Sequence, residues 1–265
     1  MISKSFYSAT IAAFFLIFAL NSTAPSAQQN HALIVQDPLD KTDVRGQIHL
    51  AFTWGEQLRV PRDYSRALMN IRDAAHRWTD LAVSIDQPLM LSSPRIHEYP
   101  ILFFITDDQF ELMESERSNL KEYIERGGFI FLDNPHGDKD FSIVKASYRK
   151  MLDDVLGSQG KLVPITGDHE IYHSFFDFDT PPFGLDFELF DPGTTDESAT
   201  SFFRPKQVYF LDAIMYRGRC VGIYSDKGYI VQMSRMTDND PQLRFAINLI
   251  VHALLTMPTE SENPR

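Results

Sequence analysis

The stretch from Tyr99 to Gly137 constrains the fold more than any other part of the chain. Two apolar runs, Ile101–Ile105 and Phe129–Leu132, flank a segment whose apolar residues recur with helical spacing. Apolar runs without polar alternation are typical of strands buried on both faces, as in a parallel sheet covered by helices. Gly127 is placed to end the helix in a left-handed conformation. The order predicts a strand–helix–strand unit with a right-handed crossover.

Polar residues follow both predicted strands. Thr106, Asp107 and Asp108 come directly after the first strand, and a polar turn from Asp133 to Gly137 ends the second. In a crossover unit both strands end at the same edge of the sheet, and ligands of open α/β proteins bind at that edge. We therefore expect these two groups to be neighbours in space and to mark the candidate site.

The rest of the sequence continues the alternation of strands and helices. Predicted strands lie at residues 47–54, 81–85, 162–165, 208–215 and 220–224, the last two forming a hairpin. Predicted helices lie at residues 68–78, 141–156 and 245–255. The pattern predicts an α/β fold with a mostly parallel sheet, helices on both of its faces and a C-terminal hairpin.

Charge and cysteine content exclude several classes of function. The formal net charge is −11 and no basic cluster is present, which argues against nucleic acids and anionic membrane surfaces as partners. The only cysteine, Cys220, cannot form an internal disulfide, so the fold must be stabilised by packing. Its apolar neighbours predict a strand in which the thiol acts as a small hydrophobic group.

The first 27 residues have the layout of a secretory signal peptide. Lys4 precedes an apolar core at residues 9–20, and small residues follow at 22–27. We expect cleavage after Ala27, because Pro25 would block a cut after Ala24. An uncleaved anchor is the less favoured alternative, since the apolar core is short for a bilayer span. This predicts a periplasmic or secreted protein that meets the membrane only during export, with a flexible mature N-terminus at 28–46 and a tail at 258–265.

The familiar catalytic motifs are missing from the sequence. It has no Gly-rich phosphate loop, no Gly-x-Ser-x-Gly elbow and no cysteine at a strand-to-helix turn. What remains is a group of acids and histidines at predicted strand ends: Asp107, Asp108, Asp133, His136, Asp168, His169 and His173. Gathered at one edge, such groups bind a divalent metal or act as an acid–base pair.

Each of these residues also has a structural interpretation. His169 and His173 are four residues apart, which suits a zinc site if the segment is helical. Alternatively, Asp168 caps a turn and the histidines hydrogen-bond loop backbone. Asp133 either stands where α/β enzymes hold a nucleophile or pairs locally in an ordinary Asn-Pro turn.

The candidate roles follow from these alternatives. The candidate catalytic residues are Asp133, His136, Asp168 and His169. The candidate ligand-binding residues are Thr106, Asp107, Asp108, Asn134 and His173. The candidate metal ligands are Asp133, Asp168 and His169.

Several stretches together resemble a known family. They are Tyr99-Pro100, the segment from Glu116 to Phe129, the Asp133 turn, residues 168–176, 218–226 and 248–254. They resemble the DUF4159 family, a bacterial domain of unknown function related in fold to class I glutamine amidotransferases, over roughly residues 47–257. The resemblance implies a flavodoxin-like three-layer fold with the Asp133 turn at the position of the amidotransferase nucleophile. The family generally lacks that cysteine, and this chain lacks it too, so glutamine hydrolysis is not implied.

The chain departs from the family pattern at the candidate site. Asp107-Asp108 stand where members tend to have Gly-His, Asn134 where they have a second Asp, and Glu170 where they have Pro. These departures leave the activity open.

Three functions fit the sequence. The first is an exported non-enzymatic domain that binds a small molecule or an envelope protein in a strand-end pocket under the loop at residues 177–200. The alternative is a metal-assisted hydrolase acting on a sugar or envelope component, with Asp133, Asp168 and His169 as ligands or general bases. The third is a structural envelope protein. All site roles require Asp133 and His169 to lie along one edge of the sheet.

Overall fold

The computed structural model describes residues 44–136, 142–185 and 209–257, and the backbone of residues 32–34. The α-helices are α1 (Arg66–Trp78), α2 (Glu114–Glu125), α3 (Ile143–Leu156), α4 (Tyr229–Met233) and α5 (Asp240–Thr256). Short 3-10 turns lie at Arg62–Tyr64, Pro94–Glu98, Gly157–Gln159 and Glu170–Tyr172. The strands are β1 (Ala32–Ile34), β2 (Val44–Leu50), β3 (Thr53–Trp54), β4 (Asp80–Ile85), β5 (Leu89–Met90), β6 (Ile101–Ile105), β7 (Phe129–Asp133), β8 (Gly160–Ile165), β9 (Leu211–Tyr216) and β10 (Arg219–Ser225).

The sheet is mixed. Five strands form the central sheet in the order β6–β7–β10–β9–β8. Strands β6, β7 and β10 run parallel to one another, and β9 is antiparallel to both β10 and β8. Further strands form the group β1–β2–β4 and the pair β3–β5, and a parallel bridge between Phe52 and Phe103 links this region to β6. The expectation of a mostly parallel sheet was wrong, because the β9–β10 hairpin places β9 antiparallel between β10 and β8.

The predicted strand–helix–strand unit is present as β6–α2–β7. Its two strands pair in parallel from Ile101 with Phe129 to Ile105 with Asp133. Gly127 has a φ of 101° just after α2, as the sequence predicted for a left-handed stop. The hairpin is also present, and the positive φ values of Arg217 and Gly218 in its turn match the twist of the flanking strands.

Alternate residues of the central strands enter two separate hydrophobic clusters. Phe103 and Phe131 pack with residues of α1, α4 and α5 in one cluster. Phe104 and Leu132 pack with residues of α2 and α3 in the other. All four side chains are fully buried, and each contributes about 2–3 kcal/mol of hydrophobic free energy. This double burial explains why both strands read as continuous apolar runs.

Other elements differ from the expectations in detail. The strand expected at 47–54 is divided into β2 and β3, and β2 begins earlier, at Val44. The backbone of Ala32–Ile34 pairs with β2 inside the stretch expected to be flexible. None of the helices in the described ranges is long and apolar enough to cross a membrane. The expected signal peptide at 1–27 and the tail at 258–265 lie outside those ranges.

Gly128 provides a test of packing between α2 and β7. A Cβ atom at this position would lie 2.3 Å from the ring of Tyr123, which is buried and whose hydroxyl lies within hydrogen-bond distance of the carbonyls of Tyr99 and Phe129. The Tyr123 ring therefore cannot move aside without losing these hydrogen bonds. We expect Gly128→Ala to lower the free energy of unfolding by about 2–3 kcal/mol, measured by guanidinium denaturation.

Gly218→Ala is the matched control. Gly218 has a φ of 82° and no atom would lie within 4 Å of an added Cβ, so only backbone strain of about 1 kcal/mol is expected. Equal losses in the two variants would show that the Tyr123 contact does not set the cost at Gly128.

Candidate functional site

The carboxyl ends of β6, β7 and β10 meet at one edge of the sheet, which we call the strand-end site. Asp133, the last residue of β7, pairs with Ile105 of β6 on one side and Ser225 of β10 on the other. The His136 Nε2 atom lies 3.7 Å from Asp107 Oδ1. The expected proximity of the two polar groups is therefore confirmed for residues 106–108 and 133–136, and Gly137 lies outside the described residues.

Asp133 is fully buried at the centre of this site. Its Oδ2 accepts a hydrogen bond of 2.7 Å from the backbone amide of Ile230 in α4, and its Oδ1 has no hydrogen-bond partner. Burial raises the pKa of Asp133 to about 7, although the Ile230 amide, the Ser225 hydroxyl and the Tyr229 amide favour the ionised form. The nearby carboxylate of Asp226 adds to the rise. Asp133 is therefore a buried acid that titrates near neutral pH.

A more exposed cluster lies beside it at the end of β6. The Tyr64 hydroxyl donates to Asp107 Oδ1 at 3.0 Å. Burial and the Asp107 carboxylate raise the pKa of Tyr64 above its ordinary value, so the phenol stays protonated. Thr106 is used locally, since its hydroxyl accepts from the amide of Asp108. Tyr64 was missed by the sequence analysis, because it stands in a 3-10 turn far from the central strands and no motif marks it.

A second network surrounds Asp226, which follows β10 and is 7% exposed. Its Oδ1 accepts from the Asn134 amide at 2.8 Å and from the Tyr224 hydroxyl at 2.5 Å. Its Oδ2 accepts from the Lys145 ammonium of α3 at 2.6 Å. Three donors, one of them charged, compensate the desolvation of this carboxylate. The network ties α3 to the ends of β7 and β10.

A groove begins at this network and runs between α3 and strands β8–β10. It encloses about 680 Å³. One wall is a single face of α3, and the floor comes from side chains of the three strands. The lining residues used below are Lys145, Arg149, Leu152, Asp153, Leu156, Leu162, Asp212, Ile214, Tyr224 and Asp226.

The histidine-rich segment after β8 does not reach the strand-end site. The His169 ring lies 6.3 Å from the ring of His252 in α5, and the His252 ring packs at 5.3 Å against Phe129, the first residue of β7. Asp133 is at the other end of β7. Tyr229 of α4, next to the Ile230 that binds Asp133, packs at 5.5 Å against Phe245, which lies about 10 Å from His252 along α5. Tyr172, three residues after His169, also reaches Phe245, at 6.0 Å.

Strand β8 ends at the same edge of the sheet as β7 but two strands away, and the segment after β8 is held against α5. The expectation that His169 lies near Asp133 along this edge was therefore wrong. The Asn248 side chain of α5 donates to the carbonyls of Ile171 and Phe176 and accepts from the Phe176 amide. Asp133, Asp168 and His169 are not brought together, and within the described ranges no group of three His, Cys, Asp or Glu is placed to hold a metal.

The local contacts favour the structural interpretation of this segment. His169 Nδ1 accepts from the Ile171 amide and so caps the turn Glu170–Tyr172, a role expected of Asp168. His173 Nε2 lies 2.7 Å from the carbonyl of Gly167, and its Nδ1 lies 3.1 Å from Asp177. Both histidines thus make hydrogen bonds within this loop and stabilise its conformation.

Two further titratable groups are uncharged near neutral pH. Burial, helped by the neighbouring His169, lowers the pKa of His252 to about 4. Burial raises the pKa of the Cys220 thiol to about 11, which keeps it protonated and unreactive.

Asp133→Asn tests the buried acid. The unfolded pKa of Asp133 is near 3.8 and the folded value is about 7, so the folded state holds a proton that the unfolded state releases. The contribution of Asp133 to stability therefore falls as pH rises from about 4 to 7, by about 4 kcal/mol at most. We expect Asp133→Asn to be more stable than wild type at pH 8 and to lose this advantage by pH 5, measured by guanidinium denaturation.

The control for this prediction is Asp168→Asn, at an exposed carboxyl, for which no gain at pH 8 is expected. A similar loss of stability for Asp133→Asn at both pH values would contradict the assigned cause.

The Asp226 network is tested by a double-mutant cycle with Asp226→Asn and Lys145→Met. We expect each single change to cost about 2 kcal/mol, because it leaves a partly buried charge without its partner. The coupling energy should be about 1–2 kcal/mol. The pair Lys150–Asp154 on the exposed face of α3, at 2.9 Å, is the matched control and should couple by less than about 0.5 kcal/mol. Equal coupling energies in both pairs would show that burial does not strengthen the interaction between Lys145 and Asp226.

Comparison with known proteins agrees with the resemblance seen in the sequence. Residues 54–254 match the family model described as "Domain of unknown function (DUF4159)". A search of curated proteins found none that matches the chain. The matched span includes the strand-end site, the groove and the segment that packs on α5, and it covers well over half of the 265 residues. The chain therefore belongs to the DUF4159 family.

Proposed function

We propose that this protein is an exported, non-catalytic binding domain that holds a small molecule in the groove between α3 and strands β8–β10. Its scaffold in this proposal is the flavodoxin-like, three-layer arrangement of class I glutamine amidotransferases. The N-terminal 27 residues serve as its signal peptide, which places the mature protein in the periplasm or outside the cell.

The strand order supports the scaffold. Strands β2–β4 and β6–β7–β10 belong to separate hydrogen-bonded groups, which the bridge between Phe52, two residues after β2, and Phe103 of β6 connects. In this proposal the bridge continues the parallel order as β4–β2–β6–β7–β10, which reverses direction at β2. Such a reversal is typical of flavodoxin-like sheets, and the groove lies toward the other end of the sheet, beside β8–β10. The helices divide between the two hydrophobic clusters, α1, α4 and α5 in one and α2 and α3 in the other.

The environment of Asp133 supports a non-catalytic role. Asp133 occupies the turn where the resemblance places the amidotransferase nucleophile. It is fully enclosed, and its Oδ2 is bound to the amide of Ile230. A nucleophile or general base must come within hydrogen-bond reach of a substrate. The buried Asp133 carboxyl is not accessible to a substrate. The oxygens of Asp226 are likewise already taken by Asn134, Tyr224 and Lys145.

The groove is the observation that carries the proposal. Its volume of about 680 Å³ is within the range of small-molecule sites, about 300–1,000 Å³. Its lining combines apolar side chains with polar and charged ones along its length, and small-molecule sites need both. A small molecule fits this concave shape better than a protein surface does. The metal-assisted hydrolase has no comparable support, because its three expected ligands are apart.

The proposal is tested by filling the groove. Leu162 on β8 lines it and is only half-buried, so Leu162→Trp should occupy the cavity without displacing the core. We expect small molecules that raise the melting temperature of the wild-type protein in a thermal-shift screen to lose that effect on Leu162→Trp.

Met69→Trp is the matched control. Met69 is 49% exposed on α1, which packs in the other hydrophobic cluster, so this variant should respond to ligands like wild type. Ligands that stabilise Leu162→Trp as strongly as wild type would overturn the groove as the binding site.

A further inference from the structure

We infer that the ligand of the groove is a short peptide in an extended conformation, whose main chain pairs with the outer edge of strand β8. The inference rests on the proposed function and names the class of ligand that the groove takes.

Strand β8 is the last strand of the five-stranded sheet. It pairs with β9 on one side, from Gly160 with Tyr216 to Ile165 with Leu211, and no described strand pairs with its other side. Within the described ranges, the main-chain groups of residues 161–164 make no hydrogen bond outside the β9 ladder. Their outward-facing donors and acceptors form the kind of edge on which an extended peptide adds as a further strand.

The groove reaches this edge. Five consecutive residues of β8, Gly160–Pro164, line it. Successive side chains of a strand point to opposite faces of the sheet, so a cavity over one face alone would be lined by every second residue. Contact with all five residues places the main-chain edge of β8 in the wall of the groove.

Pro164 indicates which main-chain groups face the groove. A proline has no N–H to donate to the ladder, and in an edge strand its nitrogen faces away from the neighbouring strand. Main-chain groups alternate between the two sides of a strand. We therefore expect Leu162, two residues earlier, to present its N–H and its carbonyl to the groove, and Val163 to bond to β9.

The charges of the groove favour neither an anionic nor a cationic ligand. Three basic residues balance three acidic ones among the lining residues that the structure describes: Lys145, Arg149, Lys161, Asp153, Asp212 and Asp226. An uncharged peptide main chain, which is recognised by hydrogen bonds, suits this balance.

The apolar part of the lining determines which side chains the peptide needs. Leu152, Leu156 and Ile214 line the groove and belong to the hydrophobic cluster that α3 covers. Alternate side chains of an extended peptide share one face, so one set contacts these residues while the other faces water. Since Gly160–Pro164 spans about 13 Å, a peptide of about four residues matches the edge.

A second copy of this chain is the competing partner for the edge of β8. Lys161 and Pro164 disfavour it, because lysine and proline on an edge strand are among the features that prevent whole sheets from pairing. Pro164 also ends the series of N–H donors, so only a short segment can pair. A peptide of four residues needs no longer edge than this.

The experiment compares the binding of acetyl-Leu-Ser-Leu-Ser-amide and of its ester analogue to the purified protein by isothermal titration calorimetry. In the analogue, ester oxygens replace the main-chain N–H groups while the side chains are kept. We expect its dissociation constant to be about tenfold higher, since two lost hydrogen bonds contribute about this factor. Saturating peptide should also slow hydrogen exchange of the Leu162 amide about tenfold, with little change at Val163.

Two variants separate this inference from the proposed function. Leu162→Trp should abolish peptide binding, and Met69→Trp should bind the peptide like wild type. Equal affinity for the peptide and its ester analogue, or no binding of the peptide, would overturn main-chain pairing; the groove would remain a binding site if Leu162→Trp still removes the effect of other thermal-shift ligands. Ligands whose effect is retained in Leu162→Trp would overturn both. A dimer that the peptide does not dissociate, with no peptide bound, would assign the edge to a second copy and overturn the peptide.

Discussion

The parallel pairing of β7 with β10 is the interaction on which the arrangement of the site depends. It sets Ser225 beside Asp133, and the Asn134 amide extends the ladder by donating to the Ser225 carbonyl at 2.8 Å. Residues that are more than ninety positions apart in the chain thereby become neighbours. The Asn134 side chain then reaches Asp226, and α4 closes over Asp133. Both polar networks at this edge follow from one strand register.

The central unit could be predicted from sequence because its signals are local. Ile101–Ile105 and Phe129–Leu132 are buried on both faces and so carry no polar residue, and Gly127 marks the end of the helix between them. A single crossover then fixes Asp107 and Asp133 at the same edge. The predicted hairpin already makes β9 antiparallel to β10. The sequence could not reveal that this hairpin joins the central sheet between β7 and β8, because the pairings of β7 with β10 and of β8 with β9 connect distant parts of the chain.

Only the part of the candidate site that the β6–α2–β7 crossover determines could be predicted from the sequence. His169 follows a strand in sequence as Asp133 does, but its position depends on where β8 joins the sheet and on the side chain of Asn248. Tyr64 and Lys145 lie on a turn and on a helix face whose sequence patterns are those of ordinary surface residues. Their roles come from partners in distant parts of the chain, Asp107 and Asp226, which no local spacing reveals.

His252 and Asp133 lie at opposite ends of β7, and the burial of each group destabilises the fold in a different pH range. Below about pH 4 the imidazole is forced to carry a charge inside the protein, whereas above about pH 7 the carboxyl is. As pH rises from about 4 to about 7, the contribution of the His252 imidazole to stability increases by roughly 3 kcal/mol, whereas the contribution of the Asp133 carboxyl decreases by about 4 kcal/mol. The two titrations therefore act in opposite directions between these limits, and each offsets most of the pH dependence that the other would give to the stability of the fold.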